Sequence, residues 1–307
     1  MTSNLQTTRD QRAGTTNLAV GVIKAMRPRQ WIKNVLVVAA PLATLGGHVH
    51  YDYRDVLYKA GIAFVVFCLA ASSIYLINDV RDVDADRQHP TKRLRPIAAG
   101  VVAPTLAYAI AVGLIGTSLA MALVTVPALA LVIAVYLVIQ LSYCFGLKHQ
   151  AVLDIGIVSS AYLIRAVAGG VATGIPLSQW FLLVMAFASL FMVAGKRYAE
   201  LQLAERTGAK IRKSLESYTG TYLRFVWTMS ATAVVVFYGL WAFERDGHSG
   251  QWFAVSMIPI TLAVLRYAVD VDSGTAGTPE DIVLRDRVLQ LLGAIWIATI
   301  CLAISVA

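Results

Sequence analysis

Apolar residues fall in long, nearly charge-free blocks divided by short polar punctuation. About 20 apolar residues cross a bilayer as a helix. On that measure the chain predicts nine spans, at 25–46, 56–78, 101–122, 126–146, 151–172, 178–196, 222–243, 252–270 and 287–306. The stretch Pro96 to Leu147 carries no charge and is too long for one helix, so Thr125-Val126-Pro127 is read as a hairpin inside it. Ala166 to Gly195 is likewise uncharged, and Thr173-Gly174-Ile175-Pro176 divides it. Asp246-Gly247-His248-Ser249-Gly250 separates the seventh and eighth spans. The expected fold class is all-α: a polytopic membrane protein with one nine-helix domain over 21–307. A Thr-rich polar tail over 1–20 is expected to be disordered and cytoplasmic, and without an apolar core it is not read as a signal peptide.

Composition sharpens this picture. Hydrophobic residues make up 58% and charged residues 14%, against about 25% charged in a soluble domain. That leaves no room for a large soluble domain. A net charge of +8 would suit nucleic acid, but the cations sit in loops beside the spans, which reads as topology, anionic headgroups and phosphate binding instead. With the N-terminus inside, only Arg54, Lys59 and Arg245 of the 26 Lys and Arg fall outside, and Arg165 lies within the fifth span. Cys68, Cys144 and Cys301 have no metal-ligand spacing and read as small hydrophobes. The second and sixth spans each end in a burst of charge followed by a polar loop, a faint internal echo.

The densest chemistry is Asn78-Asp79-Val80-Arg81-Asp82-Val83-Asp84-Ala85-Asp86, at the end of the second span. On a continuous helix, Asn78, Asp79, Asp82 and Asp86 fall within about a 100° arc, with Asp84 pointing elsewhere. Converging carboxylates repel one another unless cations lie between them, and hard oxygen ligands favour Mg²⁺ shared with substrate phosphates. A solvated polar helix end with local Arg partners is the plainer reading. Arg87, Lys92, Arg93 and Arg95 follow in a basic loop that suits either a polyanion or membrane topology alone. Lys33 and Asn34, near the start of the first span, either face a polar cavity or snorkel. Lys148 and His149 form a short inner turn. Asp154 and Arg165 share a helical face but stand about 16 Å apart along the axis. Lys196, Arg197, Glu200 and Glu205 close the sixth span, where Lys196 and Glu200 are spaced for a helix salt bridge.

The pattern Asn78-Asp79-x-x-Asp82-x-x-x-Asp86 resembles the first aspartate-rich motif, NDxxDxxxD, of the UbiA superfamily of intramembrane prenyltransferases. The likeness runs from about Ala25 to Ala307. It implies a nine-helix bundle with Mg²⁺ and a diphosphate at its cytoplasmic mouth, and Lys33 and Asn34 near the donor diphosphate. Three stretches, Arg27-Pro28-Arg29-Gln30-Trp31-Ile32-Lys33-Asn34, Leu147-Lys148-His149 and Gly195-Lys196-Arg197-Tyr198-Ala199-Glu200-Leu201, resemble one branch of that superfamily. Its members move 5-phosphoribose from 5-phosphoribosyl 1-diphosphate to decaprenyl phosphate in cell-wall arabinan synthesis. Ordinary prenyltransferases of the superfamily carry a second aspartate cluster, DxxxD, where this chain has Lys196, Arg197 and Glu200.

The resemblance implies Asp79, Asp82 and Asp86 as catalytic metal ligands for Mg²⁺. It implies Lys33, Asn34, Asn78, Arg87, Lys92, Arg93, Lys148, Lys196, Arg197 and Glu200 as substrate-binding residues. Membrane lipids, but no nucleic acid, are expected partners, and a homo-oligomer is compatible with the reading. Two alternatives stand beside it. An aromatic prenyltransferase using prenyl diphosphate predicts an intact second aspartate cluster. A transporter predicts ionisable residues at mid-membrane in several helices, where only Arg165 qualifies clearly.

Overall fold

Prolines and glycines set the helix boundaries. A computed structural model describes residues 17–39, 41, 51–208, 215–244, 247–273, 282, 283 and 285–306. Helix α1 covers 17–25, so residues 17–20, expected in the polar tail, are helical. An eleven-residue 3₁₀ stretch, Pro28–Val38, follows. Then come α2 (Tyr53–Arg81), the short α3 (Val83–Gln88), α4 (Pro104–Thr125), α5 (Pro127–Cys144) and α6 (Leu153–Thr173). Helices α7 (Gln179–Thr207), α8 (Gly220–Phe243), α9 (Gly247–Val255), α10 (Met257–Asp272) and α11 (Arg287–Ser305) complete the bundle. Pro104 and Pro127 each open a helix at its first turn, where a missing N–H costs nothing. Gly174, at φ 71°, ends α6 in the left-handed conformation that glycine adopts freely, and Ser178 caps α7 through the Phe181 N–H.

Among the described residues, eight helical segments are long and apolar enough to cross a membrane, α9 and α10 together forming one of them. They match the second to ninth expected spans. Within the first, 25–46, the 3₁₀ stretch Pro28–Val38 takes most of the described part; residues 40 and 42–50 lie outside the described residues. Runs of 3₁₀ helix beyond three or four residues are uncommon. This one is wedged between α2 and α6, and its buried residues Asn34 and Val37 stand one 3₁₀ turn apart on one face. Gly169 of α6 lets it approach: a Cβ there would stand 1.9 Å from the Val37 carbonyl oxygen.

Helix α7 runs about ten residues beyond the expected end at 196, because Tyr198, Ala199 and Leu201 remain buried against the bundle. Two large cores result. One surrounds α2, with Phe67, Leu76, Leu129, Ile133 and Tyr136; the other joins α7, α8 and α10 through Phe191, Tyr198, Leu223, Trp227, Tyr267 and Val271. Outward-facing residues such as Val112, Val124, Leu131, Phe225 and Leu291 are exposed and apolar, as a lipid-facing belt requires.

Candidate active site

Helix α2 ends at Asp82, whose backbone (φ −99°, ψ 8°) leaves helical geometry before α3 begins. The aspartates therefore occupy two helices and the corner between them, not one continuous face. Carboxylates at a helix C-terminus oppose the macrodipole, and three cations from distant segments compensate. Arg27 Nη2 lies 2.5 Å from Asp79 Oδ1. Arg95 Nη1 bridges Asp79 Oδ1 at 3.1 Å and Asp86 Oδ2 at 2.6 Å. Lys148 donates to Asp82 Oδ1, and Asn78 Nδ2 donates to Asp82 Oδ2 at 3.1 Å. Asp79 and Asp86 are buried and Asp82 is half-buried. Asp84, as expected, points away and pairs with Arg87 at the surface.

Of the basic loop, the cation that turns inward is Arg95. Its extended backbone (φ −65°, ψ 141°), which a following proline favours, aims it at the carboxylates. Arg87 instead donates to the Ala98 carbonyl at 3.3 Å, and Arg93 is exposed. Lys92 is half-buried in the 3₁₀ turn Lys92–Leu94. Arg27 sits at φ 55°, uncommon for a residue with a side chain, at the corner between α1 and the 3₁₀ stretch.

A second group of charges flanks the first. Asp154, at the start of α6, is fully buried and is gripped bidentately by Arg197 Nε (3.0 Å) and Nη2 (3.1 Å). Tyr143 OH donates to it at 3.0 Å, and Arg197 Nη1 reaches Glu200 at 3.2 Å. Asp154 thus pairs with Arg197 of α7, not with Arg165. Lys196 is half-buried beside Arg197. The turn before α6 is strained. Val152, a β-branched residue at φ 69°, is the centre of a γ-turn closed by Leu153 N–H to the Ala151 carbonyl, and its own N–H donates to Tyr218 OH at 2.7 Å. Burial pushes the Tyr218 hydroxyl above its ordinary pKa.

Deeper in the bundle, Asn34 accepts from Arg165 Nε at 2.7 Å and donates to Cys68 Sγ at 3.2 Å. Lys33 is half-buried, with Nζ 5.8 Å from the Tyr162 ring centre. The arrangement brings together Asn78, Asp79, Asp82, Asp86 and Lys148. It sets Arg197 and Glu200 in an adjoining ion-pair network, places Asn34 below, and leaves Arg87 and Arg93 at the rim.

Among the described residues, no three His, Cys, Asp or Glu side chains converge as a preformed metal cage. The donor set still fits Mg²⁺. That ion is commonly held by one or two carboxylates with water and substrate phosphates completing its shell. Here Asp79 and Asp86 already share a single cationic nitrogen.

The sequence profile of the UbiA prenyltransferase family matches residues 35–292. The chain belongs to the UbiA prenyltransferase family. Decaprenyl-phosphate phosphoribosyltransferase of Mycobacterium tuberculosis is 75% identical over 94% of this chain and 96% of its own length. The enzymes of the same name from Mycolicibacterium smegmatis and Corynebacterium glutamicum are 68% and 59% identical, each over 94% of this chain and over 93% and 88% of their own lengths. The fold matches a UbiA homolog from Archaeoglobus fulgidus, solved bound to GPP and Mg²⁺. Its TM-score is 0.69 at 17% identity, covering 93% of this chain and 100% of that one. This UbiA chain is therefore an all-helical, multi-pass membrane protein.

Arg27, Arg95, Asp154, Tyr143 and Arg165 were not among the expected site residues. Arg95 carried a signal in its place before Pro96, and Arg165 in its depth within a span.

Proposed function

We propose that this protein transfers 5-phosphoribose from 5-phosphoribosyl 1-diphosphate to decaprenyl phosphate, giving decaprenylphosphoryl-5-phosphoribose and diphosphate. The observation that carries the reading is the 75% identity to the M. tuberculosis phosphoribosyltransferase over nearly the full length of both chains. The site supports it. A donor with a diphosphate and a 5-phosphate, meeting a phosphate acceptor, brings many negative charges together. Arg27, Arg95, Lys148 and Lys196 gather at one end of the bundle to meet them, with Arg197 beside them in its pair with Asp154. An aromatic acceptor would need fewer cations, and the second aspartate cluster that such a prenyltransferase would use is replaced by Lys196, Arg197 and Glu200.

Asp79, Asp82 and Asp86, with Asn78, would hold Mg²⁺. When bound, the ion supplies positive charge to the departing diphosphate. The cations now paired with these carboxylates then have phosphate oxygens to bind. Lys148 is a compact donor for a terminal oxygen, and Arg95 can take two oxygens with its planar fork. An oxygen of the lipid phosphate attacks C1 of the ribose; the new C1–O bond forms as the bond from C1 to the diphosphate breaks. The acceptor is already anionic, so no strong general base is required, and the residues act by positioning and electrostatics. The polyprenyl tail remains in the lipid-facing apolar surface. The active end is assigned to the cytoplasm, because the cations concentrate there and a soluble sugar diphosphate is supplied there.

The test is transfer of label from 5-phosphoribosyl 1-diphosphate to decaprenyl phosphate by the detergent-solubilised protein, with and without Mg²⁺. Asp82→Asn should lower turnover about a thousandfold or more while leaving the protein folded. Near-normal activity of that variant at saturating Mg²⁺ would count against the metal assignment. Absence of transfer by the wild type would count against the substrates.

A further inference from the structure

Among the described residues, Arg27 and Val152 are the non-glycine positions with positive φ. Each stands at a corner that brings a cation to the aspartates. Arg27 itself reaches Asp79, and Lys148 reaches Asp82 from the turn that ends at Val152. Val152 is the costlier of the two. Arg27 (φ 55°, ψ 60°) lies in the left-handed helical basin. Val152 (φ 69°, ψ −49°) has the geometry of the rarer, strained γ-turn, and it is β-branched. Its side chain gains little burial in return, being 59% exposed. Such a backbone persists only where the surrounding structure over-determines it.

The connection 145–152 joins α5 to α6, and Lys148 lies in its 3₁₀ turn, Leu147–His149. The Gln150 N–H returns to the Leu147 carbonyl at 3.1 Å, the Leu153 N–H to Ala151 at 2.8 Å and the Asp154 N–H to Gln150 at 3.0 Å. Both ends are fixed, one by α5 and the other by the pairing of Asp154 with Arg197. A change of φ at Val152 must therefore be absorbed between them, in a few residues that include Lys148. From outside the connection, Tyr218 takes the Val152 N–H, its hydroxyl accepting at 2.7 Å. Tyr218 is a firm post. It is buried, its N–H bonds the Leu215 carbonyl at 3.1 Å, and its ring stacks on Tyr222 of α8 with centres 5.7 Å apart. Thr219, next in the chain, caps α8 by accepting the Tyr222 N–H at 3.1 Å. Tyr218 packs in the core of α7, α8 and α10, whereas Asp82 ends α2, around which the other core is built. The bond to Val152 thus ties the Lys148 turn to the core opposite the aspartates.

We propose that Tyr218 is a positioning residue for the aspartate mouth: by holding Val152 in its strained turn, it keeps Lys148 aimed at Asp82, where a donor phosphate would meet it. The role of Lys148 toward a phosphate rests on the proposed phosphoribosyl transfer; the hold of Tyr218 on the turn does not.

Tyr218→Phe removes the acceptor and keeps the ring, its stacking and its burial. Two properties of the detergent-solubilised protein would be measured: amide hydrogen exchange in the peptide 145–153, and transfer from 5-phosphoribosyl 1-diphosphate. Exchange in that peptide should quicken, and kcat/KM for the donor should fall about tenfold, the effect of one lost hydrogen bond. In a Lys148→Gln background, already without the ammonium, adding Tyr218→Phe should lower kcat/KM by less than about twofold more, because both changes act through one contact. Glycine adopts positive φ without strain. Adding Val152→Gly to Tyr218→Phe should therefore return kcat/KM to within about threefold of the wild type.

Unaltered exchange in Tyr218→Phe would overturn the inference whatever the substrates are. Quickened exchange with wild-type kinetics would break the link to Lys148. So would a full tenfold loss on adding Tyr218→Phe to Lys148→Gln, since Tyr218 would then act elsewhere. If Tyr218→Phe alone does not fold, the double variant with Val152→Gly decides: a folded, active protein supports the hold on the turn, and an unfolded or inactive one assigns Tyr218 to core packing instead. A wild type that does not transfer from 5-phosphoribosyl 1-diphosphate would remove the preceding reading, and the exchange measurement would still support or overturn the hold of Tyr218 on Val152.

Discussion

Gly169→Ala is the substitution whose consequence the structure specifies most closely. The added Cβ would stand 1.9 Å from the Val37 carbonyl oxygen and 2.8 Å from its carbon. Ordinary contact begins near 3.4 Å, so the gap between α6 and the 3₁₀ stretch must open by about 1.5 Å. Neither partner is a flexible side-chain tip, so backbone has to move. Alanine would improve helix propensity by about 1 kcal/mol, while overpacking of this kind costs about 1–3 kcal/mol. The clash should win, because the 3₁₀ stretch is held on its other side by α2, where Trp31 Nε1 donates to Ser72 Oγ at 3.1 Å.

The functional effect should exceed the loss of stability. In a 3₁₀ helix, residues three apart eclipse, so a push on Val37 is a push on Asn34 and on its bond to Arg165. A misplacement of about 1 Å at a reacting site can lower the rate a hundredfold. Gly169→Ala should therefore lower the melting temperature of the detergent-solubilised protein and reduce phosphoribosyl transfer by roughly tenfold to a hundredfold. Gly116→Ala on α4, exposed and with nothing within 4 Å of the added carbon, is the control: it should hold or slightly raise the melting temperature and leave transfer unchanged. If the two variants behaved alike, the close approach of the 3₁₀ stretch to α6 would be refuted.

Lys196→Gln should lower kcat/KM about tenfold to two-hundredfold, as loss of a charge-assisted phosphate contact does, with thermal stability little changed; a variant altered only in stability would favour a structural role. Asp154→Ala strands the Arg197 guanidinium in a buried position and should destabilise the protein by about 3–5 kcal/mol, measured by thermal or denaturant unfolding, while Asp154→Asn, which keeps one acceptor, should lose less. Asp286 caps α11 by accepting the Val288 and Leu289 N–H groups, and the Leu289 N–H above all, with Arg266, holds its carboxyl down to about 2. A depressed carboxylate stabilises the fold above its unfolded pKa, near 4, and loses that contribution as pH falls toward 2. The melting-temperature gap between wild type and Asp286→Asn should thus be full at pH 6 and shrink below about pH 4; a gap independent of pH would disprove the cap's charge dependence.

Much of this architecture could be read from the chain because membranes impose simple rules. Hairpins at Val126-Pro127 and near Gly174 follow from proline and glycine chemistry, and the aspartate motif stands out against an apolar background. The first span was harder. Trp31, Asn34 and Val37 repeat every third residue, which is a 3₁₀ signal, but such long 3₁₀ runs are rare enough that an α-helix is the natural expectation. Partner choice was harder still. Nothing local says that Arg95, and not Arg87 or Arg93, turns inward, beyond the extended backbone that Pro96 imposes on it. Asp154 finds Arg197 on another helix, 43 residues away, and no periodicity encodes that pairing.

That pairing also bears on how the proposed reaction would divide labour among the cations. Arg197 is held at both ends of its guanidinium by Asp154 and Glu200, and withdrawing it from a fully buried carboxylate would cost several kcal/mol. On the proposed reading it is better suited to hold α6 and α7 in register around the pocket than to reach for a phosphate itself. Arg27, Arg95 and Lys148 stand differently. Their partners are the carboxylates that a divalent ion would claim, so binding of Mg²⁺ with the donor exchanges one set of counter-charges for another without leaving a buried charge bare. Such an exchange makes metal and donor binding mutually dependent. The affinity for 5-phosphoribosyl 1-diphosphate should then rise steeply with Mg²⁺ in the wild type. It should depend on Mg²⁺ much less in Asp82→Asn, where Lys148 has already lost its charged partner. Equal Mg²⁺ dependence in the two proteins would mean that the cations bind substrate independently of the aspartates.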